Sequence, residues 1–159
     1  MTNISVIGGS NCSEEVYESA REVGRLLASN KITVICGGLT GVMEAVARGV
    51  SEKGGICIGI LPGLDASVAN RYISAAIPTG IGYARDFLVV RAGESVIAID
   101  GESGTATEAY FAISESKPLI CLYRNDIKSS KAGDGVVVLA KTPKEAVDAA
   151  IKLARDGKK

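Results

Sequence analysis

The 159-residue sequence contains no histidine and no tryptophan, and aromatic residues make up only 4% of it. Without histidine, Ser-His-Asp and Cys-His machinery and His-ligated metal sites are all excluded. Eighteen Lys and Arg balance eighteen Asp and Glu, so the whole-chain charge offers no attraction to nucleic acid or to an anionic membrane. The scarcity of aromatics leaves no stacking platform for a single strand. Neither nucleic acid nor membrane is therefore expected as a partner. No apolar run approaches the roughly 18 residues of a bilayer span. Met1-Thr2-Asn3-Ile4 has neither the basic start nor the apolar stretch of a signal peptide. Cys12, Cys36, Cys57 and Cys121 are scattered, with no C-x-x-C pair. That usage reads as reduced thiols in a cytoplasmic protein rather than a disulfide framework or a metal site.

What the sequence does have is a globular composition, 47% hydrophobic and 23% charged, which excludes disorder. Its length fits one domain over residues 1–159. Glycine is in excess, 19 residues where an average share is about 7%.

Short β-branched runs alternate with segments of helical period. Strands are expected at Asn3–Ile7, Ile32–Cys36, Ile56–Leu61, Tyr72–Ile77, Ser95–Ile99, Pro118–Tyr123 and Val136–Leu139. Between them, Val16, Ala20, Val23 and Leu27 share one face of a helix over Glu14–Ser29, and Met43, Val46 and Val50 continue the same spacing after Gly41. Further helices are expected at Ala84–Ala92 and Thr105–Glu115. The last helix opens at Thr142-Pro143-Lys144-Glu145, a capping box with Pro at its first position. The polar stretch Arg124–Gly135 reads as a surface loop near the sheet edge. Strands apolar on both faces and alternating with helices specify an α/β fold, a Rossmann-like doubly wound, mostly parallel sheet with helices on both faces.

Such sheets bind ligands at the carboxyl ends of their strands, near the point where strand order reverses. Four strand-to-helix turns there are rich in glycine: Gly8-Gly9-Ser10-Asn11, Gly37-Gly38-Leu39-Thr40-Gly41, Thr79-Gly80-Ile81-Gly82 and Asp100-Gly101-Glu102-Ser103-Gly104-Thr105. Glycine lets successive backbone N–H groups approach an oxygen-rich ligand, and the following helix N-terminus adds partial positive charge. Gly8, Gly9, Ser10, Gly37, Gly38, Thr40, Gly41, Gly80, Gly82, Gly101, Ser103, Gly104 and Thr105 are the expected contacts for a phosphate-bearing ligand. The first turn lacks G-x-G-x-x-G, Cys36-Gly37 offers no acidic residue to a ribose, and no Walker motif occurs, so neither standard cradle applies.

Two charged residues stand out. Arg85, near a helix start, opposes the helix dipole; it either holds an anion or pairs with neighbouring carboxylates. Glu108 fits a capping box with Thr105. It also reads as a carboxylate beside the phosphate cradle, able to orient water or stabilise an oxocarbenium ion.

Gly37-Gly38-Leu39-Thr40-Gly41-Val42-Met43 resembles the GGxxGxM segment of the Lonely-guy family, long labelled lysine decarboxylases, and Gly101 to Glu108 resembles its PGGxGTxxE motif. The resemblance runs nearly the whole chain. Thr79 to Arg85 and the compact length are most similar to the branch of molybdenum cofactor carrier proteins. It implies a carrier or binding protein for a nucleotide or a molybdopterin-type cofactor, assembled as a homodimer or larger homo-oligomer. The hydrolase branch implies the alternative, a nucleoside 5′-monophosphate phosphoribohydrolase acting through Arg85 and Glu108 with no cofactor. Asp100 and Glu102 replace the motif's Pro and second Gly, and Asp86 replaces the hydrolase Lys, so extra carboxylates crowd the cradle. Lysine decarboxylation needs a Schiff-base Lys, which none of the turns presents. Helices carrying Phe87-Leu88-Val89-Val90 and Ala109-Tyr110-Phe111-Ala112-Ile113 have more apolar surface than one sheet covers, an independent reason to expect a subunit interface.

Overall fold

A computed structural model describes residues 2–129 and 131–157; Met1 and Ser130, which fall in segments read above, lie outside them. The chain runs β1 (Asn3–Gly8), α1 (Glu14–Ser29), β2 (Thr33–Cys36), α2 (Val42–Glu52), β3 (Cys57–Leu61), β4 (Ala75–Pro78), α3 (Arg85–Ala92), β5 (Ser95–Ile99), α4 (Ser103–Ser114), β6 (Leu119–Leu122), β7 (Val137–Ala140) and α5 (Pro143–Asp156). The seven strands form one sheet in the order β4-β3-β2-β1-β5-β6-β7, with every pairing parallel. Strand order reverses at β1, whose Ser5 pairs with Ile35 of β2 on one side and Val96 of β5 on the other.

The apolar spacing of each helix sends it to one face. Val16, Ala20, Val23 and Leu27 of α1 pack with Val46 and Val50 of α2 and Val147 and Ile151 of α5 over one side of the sheet. Val89 and Val90 of α3 join Ala109, Ala112 and Ile113 of α4 on the other. The helices therefore cover both faces, as a doubly wound sheet requires. Ser13 caps α1 by accepting from the Val16 amide at 3.2 Å. At α5, Thr142 Oγ1 accepts from the Glu145 amide at 3.2 Å, while Glu145 reaches back to the Lys141 amide at 2.8 Å, one residue beyond the expected partner.

Three expectations shift. The strand expected at Tyr72–Ile77 is β4 at Ala75–Pro78, because Asn70 Oδ1 accepts from the Tyr72 amide and the Asn70 carbonyl from the Ile73 amide, turning the chain first. The expected Ala84 start of α3 belongs to a short 3-10 turn over Gly82–Ala84. Helix α4 begins at Ser103 rather than Thr105, with Glu102 as its N-cap, so Thr105 and Glu108 form no capping box. The loop between β6 and β7 lies beside the edge strand as expected, but it buries Ile127 and most of the Arg124 side chain.

Candidate functional site

Because the sheet is parallel throughout, all four glycine-rich turns open on the same rim. Those after β1, β2 and β5 meet at the switch point. At Gly8 a Cβ would stand 2.6 Å from Val42 Cγ1 and 2.7 Å from the Ile99 carbonyl oxygen, so only glycine lets the α2 start and the β5 end close in on β1. The β2 turn is strapped to the β1 turn: Thr40 Oγ1 donates to the Ser10 carbonyl at 2.9 Å and the Val42 amide to the Gly9 carbonyl at 3.0 Å. Gly41, at φ 65°, makes the bend that allows this. In the β5 turn, Asp100 and Gly101 take φ of 48° and 92°. Arg124 Nη1, arriving from the loop after β6, donates to both their carbonyls at 3.0 and 3.3 Å, and its Nη2 pairs with Asp126 at 2.8 Å.

These turns enclose an open cavity of about 460 Å³. Gly8, Gly9 and Ser10 supply its β1 wall, Gly37 its β2 wall, and Ser103, Gly104 and Thr105 the start of α4; Arg85 and Glu108 also line it. No side chain caps α4, so its first-turn amides, which have no partner inside the helix, open on the cavity. Six of the expected contacts stand outside the wall. Gly38 packs against Gly59 and Leu61, Thr40 and Gly41 hold the β1 turn, and Gly101 lies beneath Thr105. The Gly80 and Gly82 amides donate to the carbonyls of Gly63 and Pro62 beside the edge strand, at 3.0 Å each.

Arg85 is buried, 5% exposed. Its Nη1 donates to the carbonyls of Gly37 and Ile60, both at 2.6 Å, tying the start of α3 to the ends of β2 and β3. Its Nε lies 2.9 Å from Asp86 Oδ1, an ion pair, yet is out of line for a hydrogen bond and donates none. Of the two expected readings, the pairing with a neighbouring carboxylate is present in Asp86, and the residue also lines the cavity. Burial pushes the Asp86 carboxyl up against the opposing pull of Arg85. Glu108, on the second turn of α4, is pushed up to about 8, first by burial and then by the charge of Asp86, with Arg85 pulling the other way. It therefore keeps its proton at neutral pH.

Sequence reasoning missed Asn11, Met43 and Tyr83 as wall residues and treated Asp86 and Glu102 only as departures from a motif, though both line the cavity. Adjacency to Arg85 was the available signal for Asp86. Arg124 had none, since only the return of the β6 loop brings it to the β5 turn. Among the described residues no group of three or more His, Cys, Asp or Glu is placed to hold a metal ion.

A relative from Archaeoglobus fulgidus, described only as an uncharacterized protein, is 36% identical over 148 residues, 93% of each chain. The molybdenum cofactor binding protein of Rippkaea orientalis superposes with a TM-score of 0.83 at 26% identity, over 99% of this chain and 98% of that one. The molybdenum cofactor carrier protein of Chlamydomonas reinhardtii gives 0.85 at 27% identity, over 98% and 99%. DNA processing protein A shares the fold at lower identity: 19% and a TM-score of 0.71 for the Helicobacter pylori protein, over 95% of this chain and 80% of that one, and 16% and 0.65 for the Streptococcus pneumoniae protein, over 98% and 56%. The exclusion of nucleic acid is corrected on this ground. A neutral, aromatic-poor whole-chain composition does not decide what one surface binds, and the same fold in the Helicobacter protein binds single-stranded DNA. Residues 1–147 match the model of the SLOG cluster4 family. The chain belongs to that family, a Lonely-guy-type domain structurally close to the molybdenum cofactor carrier branch.

Proposed function

We propose that the protein binds a phosphorylated heterocyclic ligand, of nucleotide or molybdenum-cofactor type, in the crevice at the carboxyl ends of β1 and β5. The observation that carries this reading is the uncapped start of α4, opening into a cavity whose other walls are the glycine turns after β1 and β2. Turn amides and a helix N-terminus together suit phosphate oxygens. Ser10, Ser103 and Thr105 add hydroxyl donors, and Gly104 leaves open space at its Cα. A molybdenum cofactor fits this lining through its phosphate and its heterocycle. The wall holds no thiol or imidazole for the metal; Met43 supplies a thioether and Asp86, Glu102 and Glu108 supply carboxyls. Likeness to the carrier proteins of Rippkaea and Chlamydomonas favours that ligand class.

Mass spectrometry of the ligand that co-purifies, with molybdenum measured in the same sample, tests the proposal; titration calorimetry against nucleotides follows. Failure to bind any phosphorylated ligand refutes it.

The second reading, phosphoribohydrolase activity, is favoured by the position of Glu108 in the cavity wall beside Arg85, where burial pushes its carboxyl up to about 8. It would give its proton to the departing base as the N-glycosidic bond breaks. Water would add its hydroxyl to the anomeric carbon and return a proton to Glu108, leaving free base and ribose 5-phosphate. Arg85 would hold the substrate from the cavity wall. Chromatography of AMP and related nucleotides decides this; inactivity across the panel removes the reading.

The assembly is proposed to be a homodimer or larger, built on the α3–α4 face where Phe87, Leu88 and Tyr110 stay 40–49% exposed. We place it in the cytoplasm on its free thiols. No helix among the described residues is long and apolar enough to cross a membrane.

A further inference from the structure

The cavity has two chemically different parts. One is lined by donors: the turn amides after β1 and the first turn of α4. The other holds Asp86 and Glu108, carboxyls on α3 and α4 close enough for the charge of Asp86 to act on Glu108. Asp86 is half-buried and accepts no hydrogen bond from any described residue. Its neighbour Arg85 Nε is fully buried and donates none. A carboxylate that has a counter-charge but receives no hydrogen bond has acceptor capacity left over, which a bound ligand can use. A phosphate is repelled by that carboxylate, and Arg85 already supplies its counter-charge at 2.9 Å. What remains is a neutral, donor-rich group.

Resting on the reading that a phosphorylated heterocycle occupies the crevice, we infer that Asp86 determines which heterocycle it is: its carboxylate accepts from the exocyclic amine and adjacent ring N–H of a 2-amino-4-oxopyrimidine edge, the edge shared by guanine and by pterins. Two neighbouring N–H donors match the two oxygens of one carboxylate. The third group along that edge is a carbonyl oxygen. A second carboxylate there would repel it, but Glu108 keeps its proton at neutral pH and donates instead. The adenine edge sets a ring acceptor nitrogen against Asp86, and a hypoxanthine edge lacks the amine.

The test compares matched pairs by titration calorimetry at pH 7. Guanosine against inosine 5′-monophosphate differs only in the amine. Neopterin monophosphate against its 2-oxo lumazine counterpart makes the same comparison for a pterin. The pair that binds identifies the source of the edge. In that pair the amine-bearing member should bind at least about tenfold tighter, because its analogue keeps the ring N–H but leaves the other Asp86 oxygen without its donor. Asp86→Asn should bring the two within about twofold. Equal affinities in wild-type protein overturn the inference and leave phosphate binding standing. Discrimination that survives Asp86→Asn, in a variant whose melting temperature shows it folded, overturns it too. Absence of binding by all four ligands overturns the inference, and the phosphorylated-ligand reading falls with it only when adenine nucleotides and the molybdenum cofactor fail to bind as well.

Discussion

Arg85 donates from Nη1 to the Gly37 carbonyl oxygen at 2.6 Å, and so fastens the first residue of α3 to the turn after β2. A second bond from the same nitrogen reaches Ile60. This residue holds the cavity's shape as well as facing its interior. Arg85→Ala should cost about 2–4 kcal/mol, since two buried carbonyls lose their donor and Asp86 loses its counter-charge. Chemical denaturation measures it. A loss of stability under about 0.5 kcal/mol, the range of ordinary surface substitutions, would show that the clamp is unimportant.

Glu108 makes stability depend on pH. Its carboxyl lies near 8 in the folded protein against an ordinary 4.5, so between those values the native state holds a proton that the unfolded chain releases. The stabilisation is complete below the ordinary value and fades as pH rises towards 8. Wild-type protein should therefore lose melting temperature between pH 5 and 9. Glu108→Gln, which has nothing to ionise, should lose less and be the more stable protein at pH 9. Parallel melting curves for the two would contradict this origin.

Gly104 separates binding from folding. A Cβ there meets nothing within 4 Å, so Gly104→Ala should leave stability unchanged or raise it by up to about 1 kcal/mol through helix propensity. The methyl group would still stand at the mouth of the α4 amides. Affinity for the phosphorylated ligand should fall about tenfold or more, a cost of about 1.4 kcal/mol. Unaltered affinity would move the phosphate away from α4.

Leu88 is 41% exposed beside Phe87, whose ring meets Phe111 at 4.5 Å between centroids. A glutamate at Leu88 would put an unpaired charge in the proposed subunit contact. Leu88→Glu should convert the oligomer to monomer by light scattering, with little change in far-ultraviolet circular dichroism. A wild-type monomer at micromolar concentration refutes the contact directly.

Local features of the sequence were legible where they depend on local physics. The 3.6-residue spacing of Val16, Ala20, Val23 and Leu27 placed the buried face of α1, and Thr142-Pro143 marked the start of α5. The apolar run Ser95–Ile99 read as a strand, and every one of its residues is buried in the sheet. Glu108 was harder. Thr105-x-x-Glu108 has the spacing of a cap, but the helix begins two residues earlier, which turns Glu108 into the cavity wall instead. Glycine excess pointed to the rim without separating Gly104, which lines the cavity, from Gly38, which lets the turn after β2 pack against β3. Arg124 belongs to a contact between residues 23 and 24 positions apart, and no periodicity announces such a contact.

The placement of β5 beside β1 governs when the crevice comes into existence. Ser5 and Val96 are paired neighbours in the sheet, so most of the chain must be synthesised before the two strands can meet. The first four strands and two helices can gather as a local unit, yet they lack one wall and the α4 amides. Assembly of the crevice is thus a late, long-range step, slowed by the closure it requires. Capture of a ligand would then report that β1, β5 and α4 have come together, and a chain stalled before α4 would lack one wall of the crevice.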